Sequence, residues 1–333
     1  MTRTPAERPL LWPLVPVYSL GLALRELQLR TGFKRTRRLR CPVVSVGNLS
    51  TGGAGKTPLT IALAKALAAR GMQVDVLSRG YGRQSSLPLL VDPGGTTQDF
   101  GDEPLLIARE ANVPVYVAAE RYEAGLLAEQ AAKAPQDANR SLRLKAHILD
   151  DGFQHRQLAR EVDILLLSRC DLDDHLLPAG NLREPMHEAQ RAHVIAIPAD
   201  EADVEIEIRK RGCKAQVWRI NRHMDIPNLD GPVAAFCGIA RPDQFFDGIE
   251  SAGVKLVART TFRDHHIYTA ADLARLASEA RAAGATVLVT TEKDRVRLGA
   301  LAASLPIQTV PLRIEIENES AAIDWLVSRL GGF

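Results

Sequence analysis

Three observations predict an α/β fold with a phosphate-loop NTPase core and a mostly parallel sheet. Strand-like and helix-like runs alternate along the chain, an apolar strand from Val43 passes through a glycine-rich turn into a helix, and a later apolar strand ends in Asp150-Asp151. The alternation restarts near residue 231, which predicts a smaller α/β C-terminal domain. An apolar-then-basic N-terminus predicts an amphipathic helix on a membrane surface. The chain is expected to divide into a membrane-associating segment (1–40), the phosphate-loop core (41–200), a two-stranded linker (201–230) and the smaller domain (231–333).

The 333 residues are 25% charged and 46% apolar, which excludes disorder and allows a large buried core. Cys41, Cys170, Cys213 and Cys237 form no C-x-x-C pair or metal spacing and read as thiols in a reducing compartment. Net charge is +2, yet residues 1–40 carry nine Lys/Arg and two Glu, a net of +7 that leaves −5 for the rest. A basic end of this kind suits an anionic surface. Leu10–Leu24 is uncharged, but its fifteen residues fall short of the roughly 20 a spanning helix needs, and Pro13 and Pro16 interrupt its start. Arg25 and Glu26 follow with no small-residue cleavage site, against a signal peptide. The basic run Arg25–Arg40 has a single aromatic residue, Phe33, among seven Lys/Arg, against nucleic acid. An interfacial helix is the reading, with a core-packed helix the plain alternative.

Val43–Asn48 leads into Ser50-Thr51-Gly52-Gly53-Ala54-Gly55-Lys56-Thr57. Glycines let backbone N–H groups crowd a polyphosphate and the helix N-terminus adds positive potential. Lys56 can reach the β/γ-phosphates and the Thr57 hydroxyl can hold Mg²⁺. Ser50 stands where G-x-x-x-x-G-K-[ST] has its first glycine. Pro58 suits a first helical turn.

Gln73–Leu77 reads as a strand ending in Ser78-Arg79-Gly80-Tyr81-Gly82-Arg83, and Arg79 and Tyr81 fall where α/β proteins place ligands. Gly101-Asp102-Glu103-Pro104 opens a helix, and Asp102 is either a cap or a carboxylate aimed into the site as general base. Val113–Ala118 is a strand, Arg121–Lys133 a helix and 134–145 a polar surface loop. Ala146–Leu149 ends in Asp150-Asp151-Gly152-Phe153-Gln154-His155, an acidic strand end able to hold Mg²⁺, or else a plain Asp-Asp-Gly turn. Strands follow at Asp163–Ser168 and His193–Ile197. The loop between them carries Arg183, suited to phosphate, and Glu184, a further metal ligand or half of a salt bridge.

Val204–Arg209 and Gln216–Ile220 alternate like the strands of a hairpin-like connector. The second series then runs Val233–Ile239 (strand), Pro242–Ala252 (helix), Val254–Thr261 (strand), Thr269–Ala283 (helix), Thr286–Thr290 and Ile307–Leu312 (strands) and Glu319–Leu330 (helix). Asp264-His265-His266 has the chemistry for acid/base work or metal binding, or is a plain surface loop; adjacent histidines cannot both face one site. Thr291-Glu292-Lys293-Asp294 could cap a helix or touch nucleotide.

VGNLSTGGAGKTP, SRGYGR, GDEP, LDDGFQH, GNLREP, FRDHH and TTEKD occur in this order across almost the whole chain. Together with the apolar–basic N-terminus, the set resembles the tetraacyldisaccharide 4′-kinase (lipid A 4′-kinase) family of Gram-negative bacteria, whose own loop variant is similar in lacking the first glycine. The resemblance implies a membrane-associated ATP- and Mg²⁺-dependent kinase. Its reaction is phosphorylation of the 4′-hydroxyl of a tetraacylated disaccharide 1-phosphate, at the cytoplasmic leaflet of the inner membrane. It implies Asp102 as catalytic base with His265 beside it, and Lys56 on the phosphates. It also implies Asp150, Asp151 and Glu184 at acidic metal and active-site positions, and His155 and Arg183 near phosphate or substrate. No nucleic acid and no obligate protein partner are expected. The competing readings are a soluble phosphate-loop kinase or ligase acting on a small metabolite, and a partner-regulated nucleotide switch. The switch would want an N-K-x-D, which is missing.

Overall fold

The structure is a computed structural model that describes residues 8–131 and 144–331. A 3₁₀ turn, Pro9–Leu14, feeds helix α1 (Val15–Arg30). Leu14, Val17, Leu20, Leu24 and Leu27 recur at helical spacing and stay 51–67% exposed, a continuous apolar stripe facing away from the body. The opposite face is tethered: the Tyr18 hydroxyl donates to the Arg183 carbonyl at 2.9 Å, Arg25 donates to the Gln154 carbonyl, and Glu26 pairs with Arg30 and Arg156. With its charges partnered, the helix runs on past Leu24. The helical run Pro9–Arg30 therefore reaches 22 residues, long and apolar enough by length and composition to cross a membrane, where the uncharged stretch alone was too short. Helix α1 stops at Gly32 (φ 74°), so Lys34–Arg40 is not helical: Arg37 bridges to Leu158 and Arg38 pairs with Glu161 at 2.5 Å.

The large sheet begins with β1 (Val43–Asn48), followed by α2 (Lys56–Ala69), β2 (Gln73–Ser78), a short β3 (Leu89–Leu90), α3 (Thr97–Phe100), α4 (Asp102–Ala111), β4 (Val115–Val117), α5 (Arg121–Ala131) and β5 (Lys145–Asp150). It continues through β6 (Val162–Leu166), α6 (Arg169–Leu172), β7 (Val194–Pro198), α7 (Ala202–Lys210) and β8 (Gln216–Met224). The loop expected over 134–145 falls mostly outside the described residues. The small sheet is built from β9 (Val233–Cys237), α8 (Pro242–Ser251), β10 (Leu256–Thr261), α9 (Ala270–Ala282), β11 (Val287–Thr291), α10 (Glu292–Leu298) and β12 (Ile307–Val310). Strand β13 (Leu312–Ile316) and α11 (Glu319–Leu330) end the chain.

The nine-stranded order is β13-β8-β7-β6-β1-β5-β2-β4-β3, parallel except at its two edges, where β13 and β3 run antiparallel to their neighbours. Strand β1 lies between β5 and β6 and is buried throughout, as a doubly covered central strand of valines should be. One face is covered by α2, α4 and α11 around Leu59, Leu63, Leu105 and Leu326, all fully buried. The four parallel strands of the small sheet are ordered β10-β9-β11-β12.

Two expectations are corrected. Residues 204–209 are helical within α7, not a strand, so the hairpin-like connector does not form. The V-E-I-E-I run satisfies either period, and the helix wins because Val204 and Ile208, one turn apart, are buried while Ile206 is 58% exposed. Acids in its first turn and bases in its last suit the helix dipole. Strand β8 instead pairs parallel with β7 and antiparallel with β13. The single strand expected over Ile307–Leu312 is broken at Pro311, which has no N–H to give. Strand β12 stays in the small sheet while β13 and α11 return to the large one, so sheet membership does not follow a 231–333 division.

Candidate active site

A cleft of about 620 Å³ opens between the two sheets, at the C-terminal ends of β1, β2 and β5. Its floor is the phosphate loop. Gly52, Gly53 and Gly55 hold φ of 74°, 55° and 92°, the left-handed region that glycine enters without strain, and Gly55 immediately precedes α2. The loop is pinned from outside by the 181–183 segment: the Thr51 amide donates to Asn181 at 2.8 Å and the Arg183 amide to Leu49 at 2.7 Å. Ser50 is 1% exposed, and its Oγ accepts from the Asn48 amide at 3.2 Å, so it buttresses the loop instead of lining the cleft. Lys56 Nζ reaches Asn48 Oδ1 at 2.9 Å and Asp151 Oδ1 at 3.4 Å.

The acidic turn after β5 sits beside it. Gly47 allows this approach, since a Cβ there would meet Phe153 Cβ at 2.5 Å. Asp151 takes a left-handed φ of 47° and accepts both Arg183 nitrogens, at 3.0 and 2.9 Å. Burial works against its charge, but Lys56 and Arg183 outweigh it and hold Asp151 well below the usual carboxylate range. Asp150 accepts from Thr60 at 3.2 Å and Ser78 at 3.4 Å, and burial, then Glu103 and Asp151, push it up to about 7. A buried carboxylate raised by its own acidic neighbours is a site short of positive charge. Thr57, Asp150, Asp151 and Glu103 all line the cleft and offer hard oxygens, which fits Mg²⁺. Glu184 does not join them. It pairs with Arg191 at 2.7 Å and Arg25 at 3.5 Å and lines a separate cavity of about 400 Å³ beneath α1.

Across the cleft, the loop after β10 presents His265 with φ 59°, its Nδ1 3.0 Å from Asp102 Oδ2. Asp102 is the first residue of α4, behind His265 and 6% exposed. Asp102 is not the cap, since Gly101 holds that position; its Oδ1 accepts the Glu103 amide at 2.9 Å, and its Oδ2 faces His265 and Arg297, the latter at 2.5 Å through Nη2. Burial raises Asp102, but His265 and Arg297 more than reverse this and keep it ionised. The Asp102 hydrogen bond in turn raises His265. His266 is elsewhere, stacked on Phe262 with its Nε2 3.1 Å from Asp272.

Arg79, Tyr81, His155 and Arg183 line the cleft. The Tyr81 ring lies 5.4 Å from that of His265. Burial, with Arg121 nearby, pushes His155 down to about 3, so its ring is neutral, and Nε2 has no hydrogen-bond partner. In TTEKD, Thr291 caps α10, accepting the Asp294 amide at 3.1 Å, while Lys293 reaches Glu103 at 2.5 Å. Residues unread from sequence also gather here. Glu103 was seen only as helix-opening, and Arg297 lies a helical turn beyond the last motif. Arg121, 9% exposed with Nε unsatisfied, is a charged residue opening a helix after a strand, the signal that could have found it.

A glycine cradle bearing a lysine, an acidic strand end beside it and a His–Asp pair facing it define a phosphate-loop phosphotransferase. The family model described as tetraacyldisaccharide-1-P 4′-kinase matches residues 7–331, so the chain belongs to that family. It is 42% identical over 326 residues to the tetraacyldisaccharide 4′-kinase of Koribacter versatilis, covering 95% of this chain and 97% of the relative. It is 36% identical to that of Polaromonas naphthalenivorans, covering 96% and 91%. The crystal structure of LpxK from Aquifex aeolicus in complex with ATP superposes with a TM-score of 0.74 at 30% identity, covering 96% of this chain and 98% of that one.

Proposed function

We propose that the cleft carries out the family's reaction through the residues just described. The protein is an ATP-dependent lipid A 4′-kinase that phosphorylates the 4′-hydroxyl of a tetraacylated disaccharide 1-phosphate, with ATP and Mg²⁺ as cofactors. In this reading the loop Thr51–Thr57 cradles the phosphates, with Ser50 supporting it, and Lys56 offsets charge on the β/γ-oxygens. Thr57, Asp150 and Asp151 would hold Mg²⁺, with Glu103 taking the place expected of Glu184. Bound there, the ion neutralises phosphate charge. Arg183 fixes Asp151, and Arg79, Tyr81 and His155 face the acceptor.

The observation that carries the reading is the Asp102–His265 pair, which joins α4 of the large sheet to the small sheet's loop after β10 across the cleft from the phosphate cradle. Asp102 lies behind and His265 faces the cleft, 39% exposed. The pair serves as the base: Nδ1–H stays on Asp102, and Nε2 is free for the hydroxyl proton. The exposed stripe of α1 and the arginines after it support peripheral, monotopic seating on the cytoplasmic face of the inner membrane, where the acceptor's acyl chains remain in lipid. Residues 1–40 are then the membrane segment, 41–200 the core and the small sheet the closing lobe.

The test is transfer from labelled ATP to the disaccharide 1-phosphate in detergent micelles. Wild type transfers phosphate and Lys56→Ala lowers turnover by roughly 10²–10³-fold. Absence of transfer by wild type, or equal turnover in the variant, rejects the assignment.

A further inference from the structure

Two guanidinium groups without an ion-pair partner among the described residues meet over the phosphate loop, one from each sheet. Arg222 projects from β8, and the Cβ position that Gly55 leaves empty lies 3.8 Å from its Cζ and Nε. Arg241 precedes α8 and lies across the loop itself: a Cβ on Gly53 would sit 2.8 Å from its Cγ and Cδ and 3.1 Å from its Nε. Among the described residues neither makes a hydrogen bond or an ion pair. Four other cations around the cleft have acids: Lys56 and Arg183 on Asp151, Lys293 on Glu103 and Arg297 on Asp102. Arg79 and Arg121 line it without an ion pair among the described residues, after β2 and β4. Burial, and then the proximity of Arg241, lower the pKa of Arg222. A buried guanidinium beside a second one, offset only in part by Glu201 and Asp200, is a standing cost in the free protein. A multiply charged anion between them and the loop removes that cost. Guanidinium groups, planar and permanently charged, suit phosphate oxygens in particular.

We propose that Arg222 and Arg241 form a clamp supplied by the chain itself, which grips the nucleotide's phosphates from the side opposite Lys56. The inference rests on the assignment of the loop to ATP and deepens it. It gives position 53 a second reason to be glycine, once for φ and once to admit Arg241. The clamp also ties the approach of the small sheet to phosphate charge. Arg222 and Arg241 are positioning residues that read charge, so their effect should scale with the number of phosphates on the ligand.

Arg222→Met, Arg241→Met and the corresponding lysine variants are compared with wild type by calorimetric titration of ATP, ADP and adenosine, and by thermal melting without ligand. Each Met variant is expected to weaken ATP by roughly 10–100-fold, ADP less, and adenosine not at all, with partial recovery in the Lys variant. Without nucleotide the Met variants should melt at or above the wild-type temperature, because a repulsion has been removed. Unchanged ATP affinity, a parallel fall for adenosine, or a lower ligand-free melting temperature overturns the clamp. If wild type and Lys56→Ala bind ATP equally poorly, the loop assignment itself fails, which is a separate result.

Discussion

The two ends of the cleft are built on opposite electrostatic plans. Where α4 faces α10, acids meet bases across the gap between the sheets: Asp102 with Arg297 at 2.5 Å and Glu103 with Lys293 at 2.5 Å. Behind them Arg297 also holds Asp294, which is fully buried, and the Gly238 carbonyl. Charges at that end are satisfied by the protein alone. At the phosphate-loop end Arg222 from β8 and Arg241 from the small sheet have no ion-pair partner among the described residues, and burial with Glu103 and Asp151 outweighs Lys56 and Lys293 at Asp150. The first end is held by the protein's own ion pairs. The second is completed by what binds, and that division of labour separates holding the reacting groups from recognising the nucleotide.

The largest expected effect breaks the satisfied end. Asp102→Ala or His265→Ala should lower turnover by about 10²–10⁴-fold with far smaller changes in ATP or acceptor affinity. An unchanged turnover number in purified variant protein removes the pair from the chemistry. The same pair makes a signed pH prediction. Asp102 raises the His265 pKa above its usual value, and the base must be neutral. Activity should therefore rise with pH through that elevated pKa, and Asp102→Asn should move the inflection down. A profile flat across this range would assign the proton to Asp102 directly.

A sharper comparison sets two glutamates against each other. Glu103→Gln removes a cleft carboxylate and should cost roughly 10–100-fold in turnover with a raised Mg²⁺ requirement. Glu184→Gln alters only the neighbourhood of α1 and should leave the Mg²⁺ dependence unchanged. The reverse ranking would restore Glu184 to the metal. The smallest effect on chemistry lies farthest away: Val17→Glu with Leu20→Glu should shift the protein from the pellet to the supernatant in sedimentation with anionic vesicles, with little loss of turnover on micellar acceptor. Persistent pelleting would show that the stripe is not the membrane contact.

Residues that act through their neighbours in the chain were legible in the sequence. The loop 50–57 and the Asp150-Asp151 strand end announce themselves because glycine, lysine and acid must follow one another there. Strand β1 and helix α2 are likewise set by local periodicity. Only the step after Asp264 separates His265 from His266 in the sequence; in the fold His265 meets Asp102 while His266 stacks on Phe262. Arg297, Arg222 and Arg241 carry no local mark. Their meaning comes from α10, β8 and α8 arriving at one cleft, which is tertiary information. Glu184 was misplaced for the same reason: Arg191 and Arg25 reach it first. Helix α7 escaped because a short alternating run serves either period until burial decides.

Strands β8 and β13 lie side by side, and the Asp225 amide donates to the Pro311 carbonyl at 2.9 Å where the chain departs and comes back. The whole small lobe is thus an insert hung from one ribbon, with its exit and re-entry within a hydrogen bond of each other. A tight turn could close that gap, leaving the nine-stranded sheet with unaltered edges. Such an architecture makes the ribbon and the α4–α10 ion pairs two attachments that set where the lobe stands over the platform.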